Sequence, residues 1–311
     1  SFCTLLGGEA EASPMSFGSA FGMPLPTNQA VGSSGATQKP QSKIAHHELG
    51  EDDFDVHGEC GRGASSVVLA ATHRSTGQPV ALKLLPRHRF STPEARDALR
   101  REINFHRQLR SSHVVRLLSY FKTPDNVVLV LERCDATLHE RLAERGGAFA
   151  EHEVGDIIRQ VATGLQAVHG SGCVHRDVKL ENILVRGKTV KIADFGCAQN
   201  VSEGRNTCVG TLDYVPPEVV NRDPHTAMCD VWALGVLACE LLGGSPPFYR
   251  DSRAATLAAI RDAEPELPET ITPSTAGLLR AMLSKHPSMR PTLDDVIHSD
   301  LCAPRSPSQL S

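Results

Sequence analysis

No stretch of this sequence approaches the roughly 18 consecutive apolar residues that a membrane-spanning helix needs. The opening SFCTLLGGEAEASP has neither a basic region nor an apolar core of signal-peptide length, so no secretory leader is expected. The 9 cysteines are scattered and never spaced as Cys-x-x-Cys. That argues against a disulfide framework or a zinc site, and for a reducing compartment such as cytoplasm or nucleus. Net charge is small: 32 Lys+Arg against 36 Asp+Glu gives −4. No whole-molecule field draws the chain to nucleic acid or an anionic membrane, so neither partner is expected, and any taste for basic partners has to come from local acidic pockets. Internal repeats are absent. The first residue is Ser1 rather than methionine, which leaves the natural start open.

What is present fits a chain of 311 residues with two lobes around a cleft, plus tails. Residues 1–47 are rich in Gly, Ser, Ala, Pro and Thr without apolar period and read as a disordered arm; 304–311 read as a tail. Between them, 48–303 carry sustained patterning. Val67–Ala70 and Val80–Leu85 read as strands separated by a turn at Ser75-Thr76-Gly77, and Val127–Leu131 as a buried strand. Pro93–Leu109 reads as a helix with Leu99, Ile103, His106 and Leu109 on one face. Beyond it, Val154–Val168 and Val231–Leu237 read as core helices. The expectation is an α+β fold: a small strand-rich lobe over 48–131, a connection over 132–136, and a larger helical lobe over 137–303.

Several groups carry chemistry in an ordered series. Gly61-Arg62-Gly63-Ala64-Ser65-Ser66-Val67-Val68 lets a hairpin backbone come close to phosphates without a Cβ in the way, although by itself it reads equally as an ordinary turn. Lys83 closes an apolar strand 15 residues beyond Val68 and needs an anionic partner, either Glu102 on the next helix or ATP phosphates. In His175-Arg176-Asp177-Val178-Lys179-Leu180-Glu181-Asn182, Asp177 can accept the proton of a hydroxyl nucleophile and Lys179 can neutralise a transferring phosphate. Asn182 offers an amide oxygen to a hard cation. Asp194-Phe195-Gly196 follows 12 residues after Asn182 and adds a carboxylate suited to Mg²⁺. Pro216-Pro217-Glu218 comes 24 residues after Asp194.

Taken in order, these elements resemble the signature set of protein kinases from Gly61 to Arg290. The resemblance implies ATP and Mg²⁺ as cofactors, with Asp177, Lys179 and Lys83 catalytic. Gly61, Gly63, Val68, Lys83, Glu132, Cys134, Glu181, Asn182 and Asp194 would meet ATP, and Asn182 and Asp194 the metal. It further implies that Asp230 braces the catalytic-loop backbone and that Arg290 pairs with Glu218. Lys179 two residues after Asp177, with Thr211 in Gly210-Thr211-Leu212-Asp213-Tyr214, looks like the serine/threonine class. TCVGTLDYVPPEVV, DVWALGVLACELLGGSPPF and Leu99-Arg100-Arg101-Glu102 resemble the Aurora kinases. His106 puts a polar residue where most kinases carry an apolar one, as Auroras also do; its plainer reading is a partly exposed helix residue. Cys197 in place of the Aurora tryptophan, Leu180 in place of a frequent proline, and a connection one residue short depart from that family.

By the same resemblance, Thr207, 13 residues after Asp194, is the expected activating phosphothreonine, with Arg176 and Arg101 as its receptors. Arg205 upstream makes it look like a substrate of the enzyme itself. Glu181 and Glu240 are expected to read an arginine near the target Ser/Thr of protein substrates. The small lobe is a possible docking surface for an activator, and a spindle, centrosome or kinetochore location follows from the resemblance. Another basophilic kinase (calcium/calmodulin-kinase-like), a pseudokinase scaffold and a nucleotide-sensing domain are the alternatives.

Overall fold

A computed structural model describes residues 49–63, 66–196, 198–200, 211–224 and 226–304. The proposed arm, most of the tail, Ala64, Ser65, Cys197, Arg205 and Thr207 lie outside the described residues. Among the described residues, no helix is long and apolar enough to cross a membrane.

The chain opens with strands β1 (Phe54–Gly63), β2 (Ser66–His73) and β3 (Gln78–Pro86), then helix α1 (Pro93–Gln108), then β4 (Leu117–Lys122) and β5 (Asn126–Glu132). The five strands form one antiparallel sheet in the order β1-β2-β3-β5-β4. Side chains alternate across this sheet, as strand geometry requires. Val128 and Val130 join Phe54, Val80, Leu82 and Phe121 on one face, while Val127 and Leu129 join Leu85, Leu99 and Ile103 on the face that α1 covers. The start of α1 is fixed by Thr92, whose hydroxyl accepts from the Ala95 N–H, and by Pro93 in the first turn.

The second half is mainly helical. A short strand β6 (Ala136–Thr137) leads into α2 (Leu138–Glu144), α3 (Glu151–Gly170) and β7 (Cys173–Val174). The hairpin β8 (Ile183–Arg186) and β9 (Thr189–Ile192) pairs with β6 in the order β6-β8-β9, and β10 (Gln199–Asn200) pairs with β7. Helices α4 (Pro217–Val220), α5 (Met228–Gly243), α6 (Arg253–Asp262), α7 (Pro273–Met282) and α8 (Leu293–Ile297) complete it. Helix α5 is apolar nearly all round and correspondingly runs through the centre of the core. Helix α3 packs so closely that two of its glycines leave no room for a side chain. A Cβ on Gly155 would stand 1.9 Å from the Leu301 carbonyl oxygen, and one on Gly164 2.6 Å from that of His113.

The architecture is therefore the two-lobed α+β arrangement, with every strand and helix read from the sequence present. His106 differs from its plainer reading: it is buried, at 6% exposure, on the inner face of α1. Leu180 acquires a physical account, because its side chain fills the large-lobe core beneath the 3-10 turn Leu180–Asn182.

Candidate active site

The loop between β7 and β8 is held from below by Asp230, in the first turn of α5. Its carboxylate is fully buried and accepts from the His175 and Arg176 N–H groups, both at 2.8 Å, and from His169 Nε2 at 2.7 Å. Burial alone would raise the Asp230 pKa. The His169 hydrogen bond and charge outweigh it, so the group is held below the usual carboxylate range. These bonds also stabilise a local backbone cost, since Arg176 sits at φ 65°, the left-handed region that non-glycine residues seldom occupy.

On the frame so fixed, the polar groups converge. Lys179 Nζ lies 3.1 Å from Asp177 Oδ2 and donates to Thr211 Oγ1 at 3.1 Å. Thus one ammonium joins the loop to the segment that leads to Glu218. Asn182 uses its amide N–H groups on the Asp177 carbonyl and Oδ2, each at 2.8 Å, which leaves its amide oxygen as the end able to meet a cation.

Asp194 reaches the same region from the end of β9. Its φ of 61° is again left-handed, and Oδ1 accepts from Lys83 Nζ at 2.8 Å and from the Gly196 N–H at 3.2 Å. Burial acts to raise its pKa, but the Lys83 charge and hydrogen bond prevail and keep it far below the ordinary value. Glu102 from α1 stands close by, its carboxylate near Gly196. Burial pushes its pKa up, and the Lys83 charge opposes that. Lys83 therefore meets Asp194 directly and acts on Glu102 through its field. The next residue, Phe195, locks this geometry. Its ring lies 4.6 Å from that of His106 and 5.1 Å from that of His175, with Phe105 at 5.9 Å. A buried column thus joins α1 to the loop that carries Asp177.

The remaining expected residues lie around this centre. Gly61 and Val68 face each other across the β1–β2 hairpin, where a Cβ on Gly61 would sit 3.6 Å from the Val68 Cβ, and Gly63 pairs with Ser66 near the tip. Cys134 is buried beyond β5, and burial lifts its thiol pKa to about 11. Glu132 departs from expectation: its carboxylate is bound to Lys191, Arg186 and the Arg116 N–H, and its own N–H donates to the Arg116 carbonyl at 3.0 Å, so neither group is left for a nucleotide.

At the other end of the site, the Tyr214 hydroxyl donates to Glu240, and Glu181 is near enough to raise the pKa of both. Burial is the larger cause for each. The sequence reading missed Tyr214. Arg290 forms two parallel 2.7 Å hydrogen bonds with Glu218, both side chains being buried.

The protein kinase domain family matches residues 54–302. An Aurora kinase of Encephalitozoon cuniculi is 35% identical over 252 residues, covering 79% of this chain and 93% of that protein. Aurora kinase B of Danio rerio is 34% identical over 276 residues, 88% of this chain and 85% of its own. Serine/threonine-protein kinase PLK2 of Mus musculus is 33% identical over 244 residues. The alignment takes in 77% of this chain but only 36% of the mouse protein, so the chain spans about a third of that relative. The chain belongs to the protein kinase family.

The site suits what that family requires, ATP and magnesium. Its hard oxygen donors are the Asn182 amide and the Asp194 carboxylate. Among the described residues, no cluster of three or more His, Cys, Asp or Glu could hold a metal alone. Mg²⁺ commonly takes one or two protein oxygens and completes its shell with phosphate and water, so a sparse kinase donor set is the fitting one.

Proposed function

We propose that the chain is an ATP-dependent serine/threonine protein kinase of Aurora-like type, acting on arginine-containing sites. The observation that carries this reading is the Lys179 ammonium shared by Asp177 and Thr211. In this role Asp177 orients a substrate hydroxyl and takes its proton as the oxygen accepts the γ-phosphoryl group of ATP and ADP departs. Lys179 stabilises the charge that develops on the transferring group, and Lys83 holds phosphate oxygens. Gly61, Gly63 and Val68 cover the nucleotide, while the Glu132 carbonyl and main-chain groups of Cys134 meet it from the segment joining the lobes. Asn182 and Asp194 would hold Mg²⁺, which supplies charge neutralisation when bound. Asp230 and the Arg290–Glu218 pair keep the loops in place.

Glu181 and Glu240 are proposed to read a substrate arginine. Their mutual proximity supports this, as does the upward shift of the Glu240 pKa, for which burial is the main cause; a guanidinium would relieve the repulsion between them. Phosphorylation of Thr207, adding about −1.5 to −2 charge, is proposed to recruit Arg176 and Arg101 and so tie the catalytic loop to α1. The proposed domain is 48–303, with an activator docking on the small lobe and a mitotic role at spindle, centrosome or kinetochore, drawn from cytoplasm or nucleus. Oriented-peptide phosphorylation by wild type and Thr207→Ala tests the set. Arginine selection upstream of the hydroxyl and an activity loss of roughly tenfold or more in the variant are expected. Proline-directed or acidic selection, or full activity in Thr207→Ala, would remove those readings.

A further inference from the structure

Lys191 is a charged residue in an otherwise apolar strand, Val190-Lys191-Ile192, and is 9% exposed. Its ammonium donates to the Ser112 carbonyl at 2.7 Å and to Glu132 Oε1 at 3.0 Å. Glu132, at the end of β5, is 8% exposed. Oε1 also accepts from the Arg116 N–H at 2.7 Å, and Oε2 from Arg186 at 3.1 Å. Four segments meet at this one carboxylate: the end of β5, β8, β9, and the connection from α1 to β4.

The fastening continues along the chain. The Asp135 N–H donates to the Val185 carbonyl at 2.7 Å, and the Gly187 N–H to Asp135 Oδ2 at 2.7 Å. Then β6 pairs with β8. On the far side, the Val115 N–H donates to the Ile192 carbonyl at 2.8 Å. The segment between the lobes is therefore bound over its length to the hairpin whose end delivers Asp194, three residues beyond Lys191.

A buried ion pair is a weak source of stability compared with apolar residues of the same volume, and its best-supported use is to fix a geometry. We infer that Lys191 and Glu132 are positioning residues for nucleotide use. They set the distance between the inter-lobe segment, where an adenine would rest, and Asp194, where phosphate would be held. This rests on the reading of the cleft as an ATP site. It assigns the ion pair an effect on ATP that it does not have on the protein substrate.

The test measures ATP affinity by calorimetry and KM for ATP and for peptide on the full chain. The variants are Lys191→Met, Glu132→Gln, the double variant and Lys191→Arg, with Gly155→Ala as a destabilised control remote from the cleft. Lys191→Met and Glu132→Gln should weaken ATP binding and raise its KM about tenfold, with the peptide KM within about twofold of wild type. The double variant, freed of an unpaired buried charge, should regain the thermal midpoint but not the ATP KM, and Lys191→Arg should recover most of both. Either of two results overturns the proposal. One is ATP affinity within about twofold of wild type in the single and double variants. The other is ATP and peptide KM rising together in step with lost stability, as in the control. A wild-type chain that binds ATP without transferring phosphate would sink the kinase reading and leave this comparison intact. One that binds no ATP would overturn both.

Discussion

Removing the charge of Glu218 should be one of the most damaging single changes to the fold. Its partner Arg290 has no exposed side-chain surface, and the two form a bidentate pair at 2.7 Å. Arg290 cannot swing out to water when the carboxylate is lost. Its Nε is held by the Ser284 carbonyl at 3.0 Å and Nη1 by that of Met228 at 3.0 Å, and its guanidinium lies 5.1 Å from the Trp232 ring centroid. Breaking a buried pair from one side costs about 3–5 kcal/mol. Against a typical stability of about 5–15 kcal/mol that is roughly a fifth or more of the total. Urea unfolding of Glu218→Gln, followed by the fluorescence of Trp232, the only tryptophan, reads this change beside the pair itself. The midpoint should fall with little change in slope. The double variant Glu218→Gln/Arg290→Met should recover much of the loss, because no buried charge is left alone. A single-variant cost below about 1 kcal/mol, or a double variant as damaged as the sum of its parts, would refute the reasoning.

Two further outcomes follow from burial. His106 must carry its hydrogen on Nε2, since the Val115 carbonyl 2.6 Å away can only accept, and burial lowers its pKa to about 4. As pH falls below 6.5 the unfolded chain binds this proton first, so stability is lost between pH 6.5 and about 4, by about 3 kcal/mol in all. His106→Gln should flatten that part of the stability–pH curve; an unchanged slope would contradict it. Gly155→Ala drives a methyl to 1.9 Å from the Leu301 carbonyl and should cost about 2 kcal/mol or more, lowering the calorimetric Tm by several degrees. An unshifted Tm would show that α3 and the Leu301 backbone separate more easily than their packing implies.

Much of the site was readable because short fixed spacings carry it. Asp177, Lys179 and Asn182 lie on one loop, and Asp194 comes just past the hairpin that follows, so chain connection alone brings them together. The same holds for the strand and helix periods that placed Leu99, Ile103 and His106 on one face. Relations across distant segments were harder to read. Lys191 showed the signal already used for Lys83, a lysine in an apolar strand, yet its partner Glu132 lies 59 residues away. Tyr214 gave no local sign of its bond to Glu240, 26 residues on. The burial of His106 depended on a ring, Phe195, supplied by another lobe. Leu180, where the resemblance leads one to expect a proline, had no local reason until the core beneath it was visible.

The most direct measurement is transfer of labelled phosphate from ATP to an arginine-containing serine peptide by wild type and Asp177→Asn. Because Asp177→Asn also takes the carboxylate from beside the buried Lys179 ammonium, the two proteins are compared at a temperature where urea unfolding shows both to be folded. Wild type should label the serine hydroxyl, and the variant should be slower by roughly 10²–10⁴-fold, the usual contribution of a positioned proton acceptor. Equal labelling by the two proteins, or none by wild-type chain phosphorylated at Thr207, would contradict the account.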